Sequence, residues 1–399
     1  MRGLGFARLV ATAALCSMAL GCSPADDEDA GPLPPRDCPD SALPAPFCHR
    51  TVDAGSLYGW KHYRLGVLNE MRGETRPFLG ATLHPLSFAL FDPLDLGRAL
   101  VEVPGPFPNA GNVSQLAAGD FDGDGAEEIA VSAGAPGVHD SSLIVLDGRT
   151  LETKAIASTE ATVVLALDTD GDGEAELLTL TGEDENRSLH AWVVRDGSLV
   201  EVGTAALPFE QRVLTARGDF DGDSQLDLAM TAFDSADTPA PLVLLRGGSA
   251  EGTTLPLETF ARPAPLEAVV AADMDGDDDH ELVVFHTGST MTVIDWTEEG
   301  LTDFEPLAFD SGSDRDPGSV TVAVGEDRGR PDWLLIGRFY TPDEPHWDGA
   351  FFPGRTETHF IRFEFDPLLV ADYNGDGLSD FTVPESNAIV YLSEDDSEP

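Results

Sequence analysis

The chain has 399 residues, 42% of them hydrophobic and 8% aromatic, which is enough to bury an extensive core. Its 72 acidic residues outweigh 23 basic ones, for a formal charge of −49. Phosphate binding needs basic patches, so this balance sets nucleic acid aside as a partner.

Residues 1–21 carry Arg2 and Arg8, followed by an apolar run from Leu9 to Leu20. A basic start, a short apolar stretch and a small residue before the cut describe a secretory signal. The run is too short to span a bilayer, and Asp26, Asp27 and Glu28 follow it closely. Gly21-Cys22 resembles a bacterial lipobox, although Ala19 stands where leucine is commoner. That resemblance implies cleavage before Cys22 and lipidation of its thiol. Ser23 in the next place points to the outer membrane or cell surface, with a periplasmic or secreted protein as the alternative. Residues 22–50 are rich in Pro, Asp and Ala and read as an acidic tether. Cys38 and Cys48 are the thiols left in an oxidising compartment, and a disulfide between them is expected.

Residues 51–399 are dominated by one repeated sentence, Asp-x-Asp-Gly-Asp-Gly followed by a carboxylate and an apolar strand. Its copies begin at Asp120, Asp168, Asp219, Asp273 and Asp372, spaced 48, 51, 54 and 99 residues apart. Oxygen ligands stand at loop positions 1, 3, 5 and 9, and a hard cation such as Ca2+ takes several oxygens at once. Glycine at position 4 or 6 permits the bend. The doubled last gap hides a worn copy with Val324, Glu326, Arg328 and Asp332 in the ligand places. A second worn copy precedes Asp120, with Leu68, Glu70, Arg72 and Arg76. Arg72 and Arg328 supply their own cations, so neither worn loop is expected to hold calcium. Seven units of about 50 residues result, each reading as four short strands. The expected fold is all-β, a seven-bladed propeller of four-stranded antiparallel blades with calcium loops. Three strands end the last unit, so a segment around residues 50–57 is expected to complete its blade.

These residues resemble the FG-GAP/VCBS repeat family, whose best-known member domain is the integrin alpha-chain propeller. The resemblance covers about residues 55–395 and implies a calcium loop between the first and second strands of a blade. It implies the ligand sets Asp120, Asp122, Asp124 and Glu128; Asp168, Asp170, Asp172 and Glu176; and Asp219, Asp221, Asp223 and Asp227. Two more are implied, Asp273, Asp275, Asp277 and Glu281, then Asp372, Asn374, Asp376 and Asp380. Ser224 and Asp278 depart from the pattern by replacing the second turn glycine. About five calcium ions would return only +10 of the charge, so the acidity is general to the surface.

An EF-hand needs Glu at position 12 and flanking helices; Val131, Thr179, Met230, Val284 and Val383 stand there instead. None of the nine histidines forms a recognisable constellation, and Val284 stands where a zincin helix starting at His280 needs its second histidine. No catalytic residue is expected. A rigid aromatic insert from Gly337 to Gly349 carries Phe339, Tyr340, His346 and Trp347 and is a candidate ligand-binding loop. The reading is a monomeric, non-enzymatic, calcium-binding surface propeller for protein or glycan recognition and adhesion. The alternatives are an extracellular polysaccharide lyase or hydrolase, or a structural envelope component.

Overall fold

Short apolar and β-branched runs, stopped by Gly, Asp and Ser, fold as strands along the chain. The computed structural model describes residues 49–53, 62–68, 78–83, 87–104, 113–133, 142–159, 161–182, 187–208, 213–232, 241–250, 252–260, 266–286, 290–297, 300–303, 307–308, 320–325, 332–338, 347–351, 359–363, 369–374, 378–383 and 389–393. Cys22, Cys38 and Cys48 lie outside them, as do Phe339, Tyr340, His346 and Asp376. Among the described residues no helix is long and apolar enough to cross a membrane.

The chain is all-β, built from antiparallel sheets of four strands. The first sheet holds His62–Leu68, Phe78–Leu83, Ser87–Asp92 and Asp95–Pro104. The second holds Val113–Gly119, Glu128–Ala133, Ser142–Asp147 and Thr153–Ser158. The third holds Thr162–Leu167, Glu176–Thr181, Ser188–Arg195 and Ser198–Ala206. The fourth holds Val213–Gly218, Asp227–Ala232, Leu242–Leu245 and Leu257–Phe260. In the fifth, Leu266–Ala272, Glu281–His286 and Thr290–Thr297 carry an outer strand in two pieces, Gly300–Asp303 and Leu307–Ala308. The sixth holds Val320–Gly325, Trp333–Arg338, Trp347–Phe351 and His359–Phe363. All are meanders in chain order.

The last sheet breaks that order. Leu369–Ala371, Asp380–Val383 and Ile389–Ser393 are joined by His49–Asp53 from the other end of the chain. The pairing is antiparallel, from His49 opposite Ser393 to Asp53 opposite Ile389. The segment that completes the last sheet therefore starts at residue 49, two residues before the expected domain boundary.

Middle strands are buried on both faces, as their uninterrupted apolar runs require. Asp227–Ala232 and Leu242–Leu245 are buried at every residue, whereas the outer strand Ser198–Ala206 is mostly exposed. The period of two then sends alternate residues to different cores. Ile129 and Val131 pack with Phe78, Phe88 and Leu90 of the first sheet. Ala130, between them, packs with Ala166, Leu177 and Val194 of the third. Similar shared cores join the third sheet to the fourth, the fourth to the fifth and the fifth to the sixth.

First strands are neighbours from sheet to sheet: the first with the second, the second with the third, the fourth with the fifth, the fifth with the sixth, the sixth with the seventh, and the seventh with the first. Between third and fourth, Arg217 Nη1 donates to the Ala166 carbonyl at 3.2 Å. Such close approach requires small residues. A Cβ on Gly218 would lie 2.7 Å from Ala271 Cβ and 2.9 Å from His280 Cβ. Gly218→Val is therefore expected to lower unfolding free energy by about 1–3 kcal/mol, the usual range for overpacking. Urea denaturation beside the parent chain checks this.

Candidate metal centres

Each acidic loop lies where the sequence places it, between the first and second strands of its sheet. Its position-1 aspartate folds the loop around itself. Asp120 Oδ1 accepts the Gly123 and Asp124 amides at 2.8 and 3.1 Å, and Oδ2 accepts Gly125 at 2.8 Å. Asp168 takes Gly171 and Gly173 at 2.7 and 2.9 Å, and Asp219 takes Asp223 and Ser224 at 3.1 and 2.7 Å. Asp273 takes Gly276 and Asp278 at 2.6 and 3.2 Å. Position 6 is left-handed in all four loops, with φ of 79° at Gly125 and 88° at Gly173, but also 67° at Ser224 and 74° at Asp278. The two departures from glycine thus adopt the glycine conformation, held there by the carboxylate that receives their amides.

Position 9 is buried: Glu128, Glu176, Asp227 and Glu281 are at most 2% exposed. One oxygen of each accepts the amide of position 2, from Phe121 at 2.9 Å, Thr169 at 2.7 Å, Phe220 at 3.2 Å and Met274 at 2.6 Å. Asp380 does the same for Tyr373 at 2.8 Å. This bond takes up one carboxylate oxygen and leaves the second for another partner.

The result is four groups with ligand atoms within 4.8 Å of one another: Asp120, Asp122 and Glu128; Asp168, Asp170 and Glu176; Asp219, Asp221 and Asp227; and Asp273, Asp275 and Glu281. A calcium ion keeps its oxygens at about 2.3–2.6 Å, so opposed ligands lie about 5 Å apart and the groups fit it. Donor chemistry agrees, being carboxylate throughout without His or Cys. Asp122 Oδ1 and Asp221 Oδ1 are moreover buried without a hydrogen-bond partner. The four groups can hold a metal ion.

Position 5 behaves differently from its neighbours. Asp124, Asp172, Asp223 and Asp277 stand outside the four groups. Each instead accepts the amide two residues on, at Ala126, Glu174, Gln225 and Asp279. In the last loop Asp372, Asn374 and Asp380 are described and Asp376 is not. The sixth loop corrects its expected alignment. Gly325 pairs with Trp333, whereas in the fourth loop Gly218 pairs with Asp227, so Trp333 and not Asp332 stands in the ninth register. A buried indole thus replaces the carboxylate, and Asp332 turns to accept the Asp273 amide at 2.9 Å.

Neighbouring loops are tied through the position-1 carbonyls. Ala175 donates to Asp120 O at 2.9 Å, Gly248 to Asp168 O at 3.1 Å, His280 to Asp219 O at 2.7 Å and Asp332 to Asp273 O at 2.6 Å. His280 also accepts the Asp219 amide through Nδ1 at 3.3 Å, which makes it a partly buried link between the two loops.

Burial pushes the Glu281 carboxyl up to about 8; the Met274 amide opposes this, and the charges of Asp275, Asp277 and Asp273 add to it. Burial likewise raises Asp227 to about 6. In chelated protein the folded state therefore holds a proton that the unfolded chain, with Glu near 4.5, has released. Stability is expected to be highest near pH 5 and to fall as pH rises through 8. Saturating calcium should flatten this slope, since metal replaces the proton; melting temperatures at pH 5, 7 and 8.5 check it.

Two cations in this region carry no sequence expectation. Lys154 Nζ lies 2.6 Å from Asp122 Oδ2 and 2.7 Å from Glu128 Oε1. Arg246 Nη1 lies 2.6 Å from Asp221 Oδ2, with its guanidinium 4.6 Å above the Trp296 ring. A chain of Thr181, His190 and Glu201 also crosses the third sheet, at 2.7 and 3.1 Å. Its members come from three adjacent strands, so each link staples a strand pair. The aromatic insert narrows: Gly337 ends inside one strand and Trp347 opens the next, opposite Phe363, leaving 339–346 as the connection.

No protein-family model matches the chain, and no curated protein matches it. Among solved structures it is similar to the Dos1 propeller, at 10% identity and a TM-score of 0.48 over 81% of this chain and 76% of that one. It is similar also to Sqt1 of Saccharomyces cerevisiae, at 11% identity and 0.48 over 87% and 98%. The exotype rhamnogalacturonan lyase YesX gives 13% identity and 0.46 over 84% and 72%.

Proposed function

We propose that this chain is a closed, seven-bladed, calcium-stabilised β-propeller that presents a recognition surface for a protein or glycan and performs no catalysis. The observation that carries the reading is the recurrence of one acidic corner, at the same place in four sheets, with a buried carboxylate aimed into each. Calcium would be held by the residues at positions 1, 3 and 9, and would supply charge neutralisation and a rigid corner. It would not touch the partner. The return of His49–Asp53 to the last sheet supports closure of the ring.

In this reading Cys22 carries the lipid that holds the protein to the outer membrane or cell surface, the part of the 22–50 tether that precedes His49 stands it away, and a Cys38–Cys48 bridge stiffens that tether. Phe339, Tyr340, His346 and Trp347, within the aromatic insert from Gly337 to Gly349, are the candidate contacts. Calorimetric titration of the chelated chain with Ca2+ tests the metal reading: binding at several sites supports it, and an absence of binding heat together with an unchanged melting temperature removes it. Glycan-array and cell-adhesion assays comparing the parent with Trp347→Ala test recognition, and equal binding by both rejects the aromatic surface.

A further inference from the structure

The four acidic groups are not equivalent. In the second sheet, the ammonium of Lys154 stands among the loop carboxylates: 2.6 Å from Asp122, 2.7 Å from Glu128, 3.5 Å from Asp124 and 3.8 Å from Asp147. Its side chain is only 20% exposed. Two of these acids belong to the group whose third member is Asp120. A metal ion and a lysine cannot share those oxygens.

A break in strand register puts the lysine there. Val145 pairs with Ala155 and Leu146 with Thr153, so Lys154 is the bulged residue between them. The third sheet has the same bulge, with Ala191 opposite Gly203 and Trp192 opposite Glu201, and Val202 as the bulged residue. Both bulges lie at the same height, since Ile129 pairs with Leu146 and Leu177 with Trp192. Lys154 and Val202 are thus matched positions, one charged and one apolar. Among the described residues no ion pair reaches Asp168, Asp170 or Glu176; Arg195 goes to Glu174 instead. The fourth group is intermediate, because Arg246 touches Asp221 while the second oxygen of Asp227 accepts the Gly247 amide at 2.9 Å.

We propose that Lys154 is a tethered cation that fills the second site, so that this loop is held without calcium while the third requires the metal. The proposal rests on the calcium reading above. It assigns one of the two lysines in the chain to a single task, neutralising one corner independently of the metal supply. The protein would then keep part of its ring ordered when calcium is scarce.

The test is calorimetric calcium titration of the full chain beside Lys154→Met and Val202→Lys, with melting curves in chelator. Lys154→Met is expected to bind one calcium more than the parent, and Val202→Lys one fewer. In chelator Lys154→Met should melt several degrees below the parent, and calcium should close the gap. Lys154→Met with the parent's stoichiometry overturns the proposal. If Lys154→Met does not fold, Val202→Lys carries the test, and an unchanged stoichiometry there overturns it. A parent that binds no calcium removes the underlying reading instead. In that event an unchanged chelator melt for Lys154→Met overturns the role of the lysine as well, and a lowered melt retains it as the internal counter-ion.

Discussion

Stripping divalent metal from the chain is expected to lower its melting temperature by about 10 °C, with calcium restoring it. The reason is electrostatic. Carboxylates whose oxygens lie within 4.8 Å repel one another, and without metal a buried one such as Glu281 escapes that repulsion only by holding a proton. Each like-charge pair at about 4 Å is worth on the order of 4 kcal/mol at the effective dielectric of a protein surface. Bound calcium would convert that repulsion into attraction, and its binding free energy would become folding free energy. At one hundred times the dissociation constant each site contributes about 2.7 kcal/mol, so two sites give about 5 kcal/mol. A shift of about 2 °C per kcal/mol suits a large domain. Scanning calorimetry at one fixed scan rate, with chelator and then with excess Ca2+, measures it. Identical curves would mean that the loops stand without metal.

Removing residues 1–53 is expected to do still greater damage, abolishing a single cooperative unfolding transition. This truncation takes away the five residues that pair with Ile389–Ser393. The last sheet would keep three strands, and Ile389–Ser393 would become an open edge able to capture another chain. Its neighbours would lose their support too, because the first strands of the sixth and first sheets flank that of the seventh. Limited proteolysis and size-exclusion chromatography would report the outcome. A truncated chain that stays monomeric, protease-resistant and cooperative would show that closure contributes little. Thr51→Pro, which puts a proline inside the paired strand, is the milder form and should fall between the two.

The acidic loops were legible because their ligands are local: Asp120, Asp122 and Glu128 lie within nine residues, and tight-turn chemistry alone brings them together. The sheets were legible for a related reason, since four strands in meander order need no long-range information. Lys154 was not. It stands 26 residues beyond Glu128 and reaches it only because a bulge in the fourth strand turns it inward. A bulge leaves no mark in the hydrophobic pattern, although a rare lysine among so many acids was a usable hint. Trp333 was hidden by a shortened loop, which moved an indole into the ninth register and Asp332 one place before it. Trp347 read as loop because prolines precede it, and only its cross-strand partner Phe363 shows it to open a strand.

Closure of the last sheet has a consequence for synthesis. His49–Asp53 is made before any other described strand and pairs with Ile389–Ser393, the last to be made. The 335 residues from 54 to 388 separate them. At about 5–20 residues per second, roughly 17–70 s of translation pass before the partner exists. A strand that waits so long must not stick to something else. His-Arg-Thr-Val-Asp suits the wait: Val52 is its one apolar residue, and charges stand near both ends. The strand that completes the last sheet thus offers little apolar surface to a wrong partner while its own is still unmade.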